Sequence, residues 1–150
     1  MDTISNTNNT TVLSKTDSNL ILQFDDNTQM LCPFWIAMKS KTIKDLVDNC
    51  GDIDTNNIIP APNGNALFFK IVIDFHTDMS LLFLDTNQEL TKDERLYILR
   101  LILQNHNIIY NQNLIVHITK IADFFCFDIL LKTLCSQIAK MLYSTNLSSQ

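Results

Sequence analysis

Glycine is almost missing from this chain, with Gly51 and Gly64 the two glycines among its 150 residues. A phosphate-cradling loop needs glycines close together with GK[ST] after them, and neither glycine stands in such a setting. Proline is nearly as sparse, at three residues, and two of these, Pro60 and Pro62, stand almost side by side. Charge is thin as well: Asp, Glu, Lys and Arg make up 18% of the residues, with a net −5. Asn, Ser, Thr and Gln supply the polarity instead. No basic run occurs. The densest group is Lys39, Lys41 and Lys44, followed at once by Asp45 and Asp48, which reads as a solvated helix face. Contacts to nucleic-acid phosphates need clustered Lys and Arg, so no nucleic-acid partner is expected.

Long apolar runs are short of membrane length. The best candidate, Ala66–Phe75, carries Lys70 and Asp74 and falls well below the ~20 apolar residues of a span, so no membrane association is expected. The start, MDTISNTNNTTVLSK, has an acid at position 2 and no apolar stretch, unlike a secretory leader. The expected setting is intracellular, in cytoplasm or nucleus. Cysteines are few and scattered: Cys32, Cys50, Cys126 and Cys135, with no CxxC. They read as small buried hydrophobes. Together with His76, His106 or His117 they match no metal-ligand spacing, so neither metal nor cofactor is expected. GxSxG, HExxH and HxE…PCxxC patterns are absent. Cys126 and His117 form a conceivable nucleophile pair, yet both lie in apolar helical segments where packing is the plainer reading. Phe124 and Phe125 likewise read as core fillers rather than base-stacking platforms. No catalytic residue is assigned, and the chain is not expected to be an enzyme.

What is present is apolar: 46% of residues are hydrophobic, enough for a real core in one domain. Residues 1–17, rich in Asn, Thr and Ser without periodicity, predict a disordered tail. In NLILQF, Leu20, Leu22 and Phe24 alternate as in a strand. DDNT at 25–28 is turn chemistry, and Gln29–Cys32 returns as a second strand ended by Pro33. Ile43, Leu46, Val47 and Cys50 predict a helix over 43–50, opened by Thr42 with Asp45 and closed by Gly51. Asn57–Ile59 is a strand candidate. Pro60 and Pro62 then hold the chain extended, Asn63 and Asn65 each offer a helix cap, and Gly64 relaxes the backbone between them. The helix that follows, Ala66–Phe75, is apolar on more than one face, which predicts burial on several sides or contact with a partner. Thr91 and Glu94 form a capping box before a helix over 94–104. A loop over 105–113, a helix over 114–125 and an amphipathic helix over 127–143 complete the chain before a short tail, 144–150. On this last helix Phe127, Leu130, Leu131, Leu134, Cys135, Ile138, Met141 and Leu142 form the apolar stripe, with Lys132, Thr133, Ser136, Gln137 and Lys140 opposite. The fold class is α+β, a small sheet covered by helices. Several helices are richer in apolar residues than one small core can hide, which points to an interaction module.

Four stretches carry a resemblance: LILQFDDNTQM (20–30), AMKSKTIKDLVDNCG (37–51), IPAPNGNALFFKIVIDF (59–75) and IADFFCFDILLKTLCSQIAKML (121–142). In this order they resemble the Skp1 family, adaptor subunits of cullin–RING ubiquitin ligases built on a BTB/POZ fold. The third stretch is similar to the family's P-L-P-N-V-N-A segment, and the fourth to its A-A-N-Y-L…L-L-D-x-T-C-x-x-V-A-x-M helix region. The resemblance covers about two thirds of the chain. It implies a Skp1-like domain over 18–143 with two partner surfaces. A cullin N-terminal region would meet Ala122, Asp123 and Phe124. An F-box helix would meet Leu130, Leu131, Cys135, Ile138 and Met141. The chain departs from the family pattern in several places. Asp123 and Phe124 replace Asn and Tyr, and Cys126, Phe127 and Asp128 replace D-I-K. The segment 85–112 stands where the family has an acidic linker and a W-D-x-E-F motif. The sequence ends at Gln150, before the two helices that complete the family's F-box clamp. The expectation is a Skp1-like adaptor joining a cullin to an F-box-type substrate receptor. The alternative is a BTB-type homodimer, or a shortened decoy that competes for a cullin or F-box protein.

Overall fold

The computed structural model describes residues 19–49 and 58–148, with side chains as far as Ser144. The chain is α+β and forms two compact units, Met1–Asn65 and Ala66–Gln150. The tail expected over 1–17, the strand start at Asn57 and the proposed Gly51 cap fall outside the described residues, as does Cys50.

In the first unit, β1 (Asn19–Gln23) is the central strand of a three-stranded sheet. It pairs antiparallel with β2 (Gln29–Pro33), Leu20 opposite Cys32 and Leu22 opposite Met30. It pairs parallel with β3 (Ile58–Pro60), Leu22 beside Ile59. Strand alternation sends Leu20, Leu22 and Phe24 inward, as the sequence predicts. The DDNT turn closes by an Asn27 N–H to Phe24 O bond of 2.9 Å. Asp26 Oδ1 accepts from the Thr28 N–H at 3.0 Å and the Thr28 hydroxyl at 2.6 Å. These bonds hold the Asp26 carboxyl below its ordinary pKa.

A one-turn helix, α1 (Phe34–Ala37), follows Pro33 directly and packs on the hairpin, burying Ile36 and Ala37. Then α2 (Lys41–Asn49) begins two residues earlier than predicted. Its cap is Ser40 rather than Thr42: the buried Ser40 hydroxyl accepts the Ile43 N–H at 3.0 Å. The proline-rich entry also differs from expectation. Residues 61–64 form a β-turn, with the Gly64 N–H on Ala61 O at 3.1 Å. Pro62 takes the second position and Asn63 the third at φ 67°, the pattern of a type II turn. Asn63 therefore does not cap a helix, and Gly64 is not the left-handed residue. The Asn63 N–H donates to Asp25 Oδ2 at 3.0 Å, tying this turn to the hairpin turn.

The second unit is four helices: α3 (Ala66–Thr86), α4 (Lys92–Asn105), α5 (Gln112–Phe125) and α6 (Asp128–Ser148). Within it α3 packs on α4, α4 on α6, and α5 on α6. Over its first three turns α3 buries Phe68, Phe69, Ile71, Val72 and Phe75 and exposes Lys70 and Asp74, so the apolar helix is enclosed on several sides. It runs eleven residues beyond the expected end at Phe75. No Gly or Pro interrupts 76–86, and His76 is buried rather than terminating. The Thr91–Glu94 box forms as predicted: the Glu94 N–H donates to Thr91 Oγ1 at 3.1 Å, and the Thr91 N–H to Glu94 Oε1 at 2.9 Å. Asn111 caps α5 through the Leu114 N–H at 3.1 Å. α6 continues to Ser148, through most of the expected tail.

Three helix ends use a left-handed residue where glycine is usual. Asn87 (φ 53°) closes α3, its N–H on Phe83 O at 2.7 Å. Asn107 (φ 60°) closes α4 in a Schellman motif, with Asn107 N–H on Gln104 O and Ile108 N–H on Leu103 O, both 2.9 Å. Cys126 (φ 55°) closes α5 in the same way, with Cys126 N–H on Asp123 O and Phe127 N–H on Ala122 O, both 3.1 Å. With Asn27 and Asn63, four of the five left-handed non-glycine residues among those described are Asn, whose short amide tolerates that region best.

Candidate interaction surface

The turn between α5 and α6 organises the second unit. Reversing at Cys126 drives the Phe127 ring inward, within 6.0 Å of Phe68 and His76 and 6.1 Å of Phe69, centroid to centroid. Phe125 completes the cluster, edge-on to Phe69 at 5.2 Å. Such edge-to-face pairs add roughly 0.5–1.5 kcal/mol each beyond area burial. Phe125 is thus the core filler the sequence suggests, whereas Phe124 is not. Phe124 stands 44% exposed at the surface end of α5.

The residues expected at a cullin face therefore divide. Asp123 and Phe124 are exposed side by side, while Ala122 is buried and contributes the carbonyl that closes the Schellman turn. The F-box set divides too. Leu130 is fully buried, Cys135 is exposed, and Leu131, Ile138 and Met141 are half-buried. Leu131, Cys135, Ile138 and Leu142 follow one another at helical spacings of four, three and four, and so form one continuous flank of α6. At its far end Leu142 is 55% exposed.

This flank is open because α6 is rotated from the expected orientation. Thr133 and Gln137, assigned to the solvent side by sequence, are each only 4% exposed. The Thr133 hydroxyl is satisfied within the helix, donating to Ile129 O at 2.8 Å. The buried arc runs through Leu130, Thr133, Leu134 and Gln137, so part of the apolar arc faces outward. Sequence reasoning also missed a cavity at the other edge of α6, where Arg100, Tyr110, Gln112, Gln137, Lys140 and Met141 converge. The i, i+3 pair of Gln137 and Lys140 was its one visible signal.

The cysteines expected to be small buried hydrophobes divide: Cys32 is buried, Cys126 is half-buried and Cys135 is exposed. Cys32 is buried, and desolvation pushes its thiol up to about 12. Cys126 serves the helix end, and His117 is exposed. Among the described residues, no three His, Cys, Asp or Glu side chains come together as a metal site requires, and no helix is long and apolar enough to cross a membrane. Compared with models of known protein families and with curated proteins, the chain has no significant match.

Proposed function

We propose that this chain is an interaction module of Skp1-like type, with a BTB/POZ fold over 18–143. On this reading it acts inside the cell, without catalysis of its own. It joins a cullin to an F-box-type substrate receptor in ubiquitin-dependent degradation. The observation that carries the proposal is the open apolar flank Leu131–Cys135–Ile138–Leu142. It lies on the helix whose sequence resembles the family's F-box-binding helix, with Phe124 and Asp123 exposed just before it. The hairpin and the stiff entry to α3 occur at the stretches that carry the rest of the resemblance.

The test is affinity purification of the tagged chain from cells, with mass spectrometry of its companions. A cullin together with F-box proteins supports the adaptor, and neither would refute it. A charge placed in a buried apolar contact costs about 3–5 kcal/mol. Leu131→Asp and Ile138→Asp should therefore lose the receptor while keeping the helical circular-dichroism spectrum. The same open flank also favours a second reading, a BTB-type homodimer in which another copy covers α6. Light scattering at twice the 17.2 kDa chain mass, abolished by Ile138→Asp, would support that reading.

A further inference from the structure

We propose that the second half of α3 docks an amphipathic helix of a partner protein, one whose apolar face is flanked by Lys or Arg. The core-facing stripe of α3 runs Phe68, Val72, Phe75, Met79 and Phe83, at helical spacings of four, three, four and four. Its first half is covered. The Phe68 ring lies 6.1 Å from that of Phe125 and 6.0 Å from that of Phe127, and this cover reaches His76, 6.0 Å from Phe127. Beyond His76 the same stripe comes into the open. Phe68, Val72 and Phe75 are 0% exposed, Met79 is half-buried and Phe83 is 45% exposed. Leu81 and Leu84, further round the helix, are 60% and 72% exposed. With about 100° between successive residues, Phe83, Leu84 and Leu81 fan over roughly 160° of the circumference. Apolar residues scattered singly on a surface are ordinary. A core stripe that outruns its cover is not, and it marks a partner site.

The second observation is charge. Between Lys70 and Lys92 stand Asp74, Asp78, Asp85 and Glu89, with no Lys or Arg among them. All four acids are exposed. Asp74 is met by His106 Nε2 at 3.1 Å, the one ion pair among the described residues, which leaves Asp78, Asp85 and Glu89 outside any. Arg95 on α4 donates to Leu90 O at 2.7 Å. The Asp78 carboxyl is raised above its ordinary value, first by desolvation and then by Asp74, so an arriving cation relieves a repulsion already present. The same charge decides between occupants. A second copy would set its own four acids against these, and an anionic lipid surface would be repelled. An extended peptide finds no free main-chain edge on a helix. A helix fits, because its side-chain ridges interdigitate with those of α3. Lys or Arg at its margin would meet Asp78 and Asp85, which lie on one face of α3 on either side of Leu81.

Two fluorescein-labelled peptides with the same apolar face and opposite flanks test this, LKKLLKLLKKLLKL-amide and LEELLELLEELLEL-amide. Each is titrated with the full chain and followed by fluorescence anisotropy. The expected result is saturable binding of the lysine peptide and none of the glutamate peptide. Leu84→Ser should weaken binding about tenfold, as the burial of a largely exposed leucine predicts. Asp78→Asn together with Asp85→Asn should weaken it about fivefold, as two rim ion pairs predict. All three positions are exposed, so the helical circular-dichroism spectrum should be unchanged. Two controls locate the site. Asp45→Asn with Asp48→Asn removes the same charge from α2, and Leu142→Ser removes an exposed leucine from α6, and neither should alter binding. The proposal is overturned if the lysine peptide does not bind saturably, if the glutamate peptide binds as tightly, or if either control weakens binding as much as the changes on α3. It is also overturned if Leu84→Ser dissolves a dimer seen by sedimentation, because another copy would then be the occupant. Binding to phosphatidylserine vesicles that Leu84→Ser abolishes overturns it too, because the occupant would then be a lipid surface.

Discussion

Replacing Cys126 with glycine should make the protein more stable. Cys126 sits at φ 55°, ψ 48°, where its Cβ crowds the following carbonyl. An L-residue in that region is disfavoured by roughly 1–2 kcal/mol. Glycine removes this cost but loses about 0.5–1 kcal/mol through the greater freedom of its unfolded chain. The net expectation is a gain of about 0.5–1 kcal/mol. Alanine keeps the Cβ, removes only the half-buried thiol, and should be near neutral. Valine adds a β-branch to the left-handed position and should lose about 1 kcal/mol or more. Urea unfolding followed by circular dichroism measures all three. With a slope of ~2 kcal/mol/M, glycine should raise the midpoint by about 0.2–0.5 M over wild type and valine should lower it. Glycine no more stable than alanine, with valine unchanged, would refute a left-handed end to α5. The inward placement of Phe127 would fall with it, since the same two hydrogen bonds set both.

Phe127→Ala should lose about 3–5 kcal/mol, because the ring is buried among Phe68, Phe69, Phe125 and His76, and thermal unfolding would show it. Iodoacetamide labelling with peptide-resolved mass spectrometry should modify exposed Cys135 in the native protein and reach Cys32, buried with its thiol raised to about 12, only on unfolding. Asp78 is exposed but partly desolvated, and this, followed by the like charge of Asp74 one turn away on α3, raises its carboxyl above the ordinary value. Its folded pKa thus exceeds its unfolded one, so its stabilising contribution is full below the carboxylate range and lost as pH rises through it. Asp78→Asn should therefore be slightly more stable than wild type at pH 7, with the advantage gone in acid, as paired urea titrations would show.

Legibility of the sequence followed how local the determining physics is. The Thr91–Glu94 box involves residues three apart and was read correctly, bond for bond. The hairpin was legible because alternation at Leu20, Leu22 and Phe24 and the DDNT turn agree. Ser40 was missed because Thr42 offers an equal hydroxyl two positions on, and only the realised backbone selects between them. α3 was cut short at Phe75 because polar His76 and Asp78 resemble a helix end, although nothing after Phe75 stops propagation until Asn87. The rotation of α6 was not legible. Its apolar arc is wider than the face it buries, so packing against α4 and α5 decides which edge stays open, and drew Thr133 and Gln137 inward. The cavity was invisible for the same reason, since Arg100, Tyr110 and Lys140 meet only through tertiary packing.

The turn at 61–64 also sets how the molecule ages. Asn followed by Gly is the pair most prone to deamidation, because the glycine nitrogen can attack the asparagine side chain with least hindrance. Here that nitrogen is engaged, its N–H held by Ala61 O at 3.1 Å. While the turn is closed, Asn63 is shielded from its own neighbour. Loss of ammonia to a cyclic imide, and its hydrolysis to aspartate or isoaspartate, then proceed through moments of local opening. Each conversion sets a new negative charge beside Asp25, whose carboxylate already receives the Asn63 N–H. The slow gain of 1 Da at this site is a clock for breathing of the sheet's exit, readable in stored protein without any label.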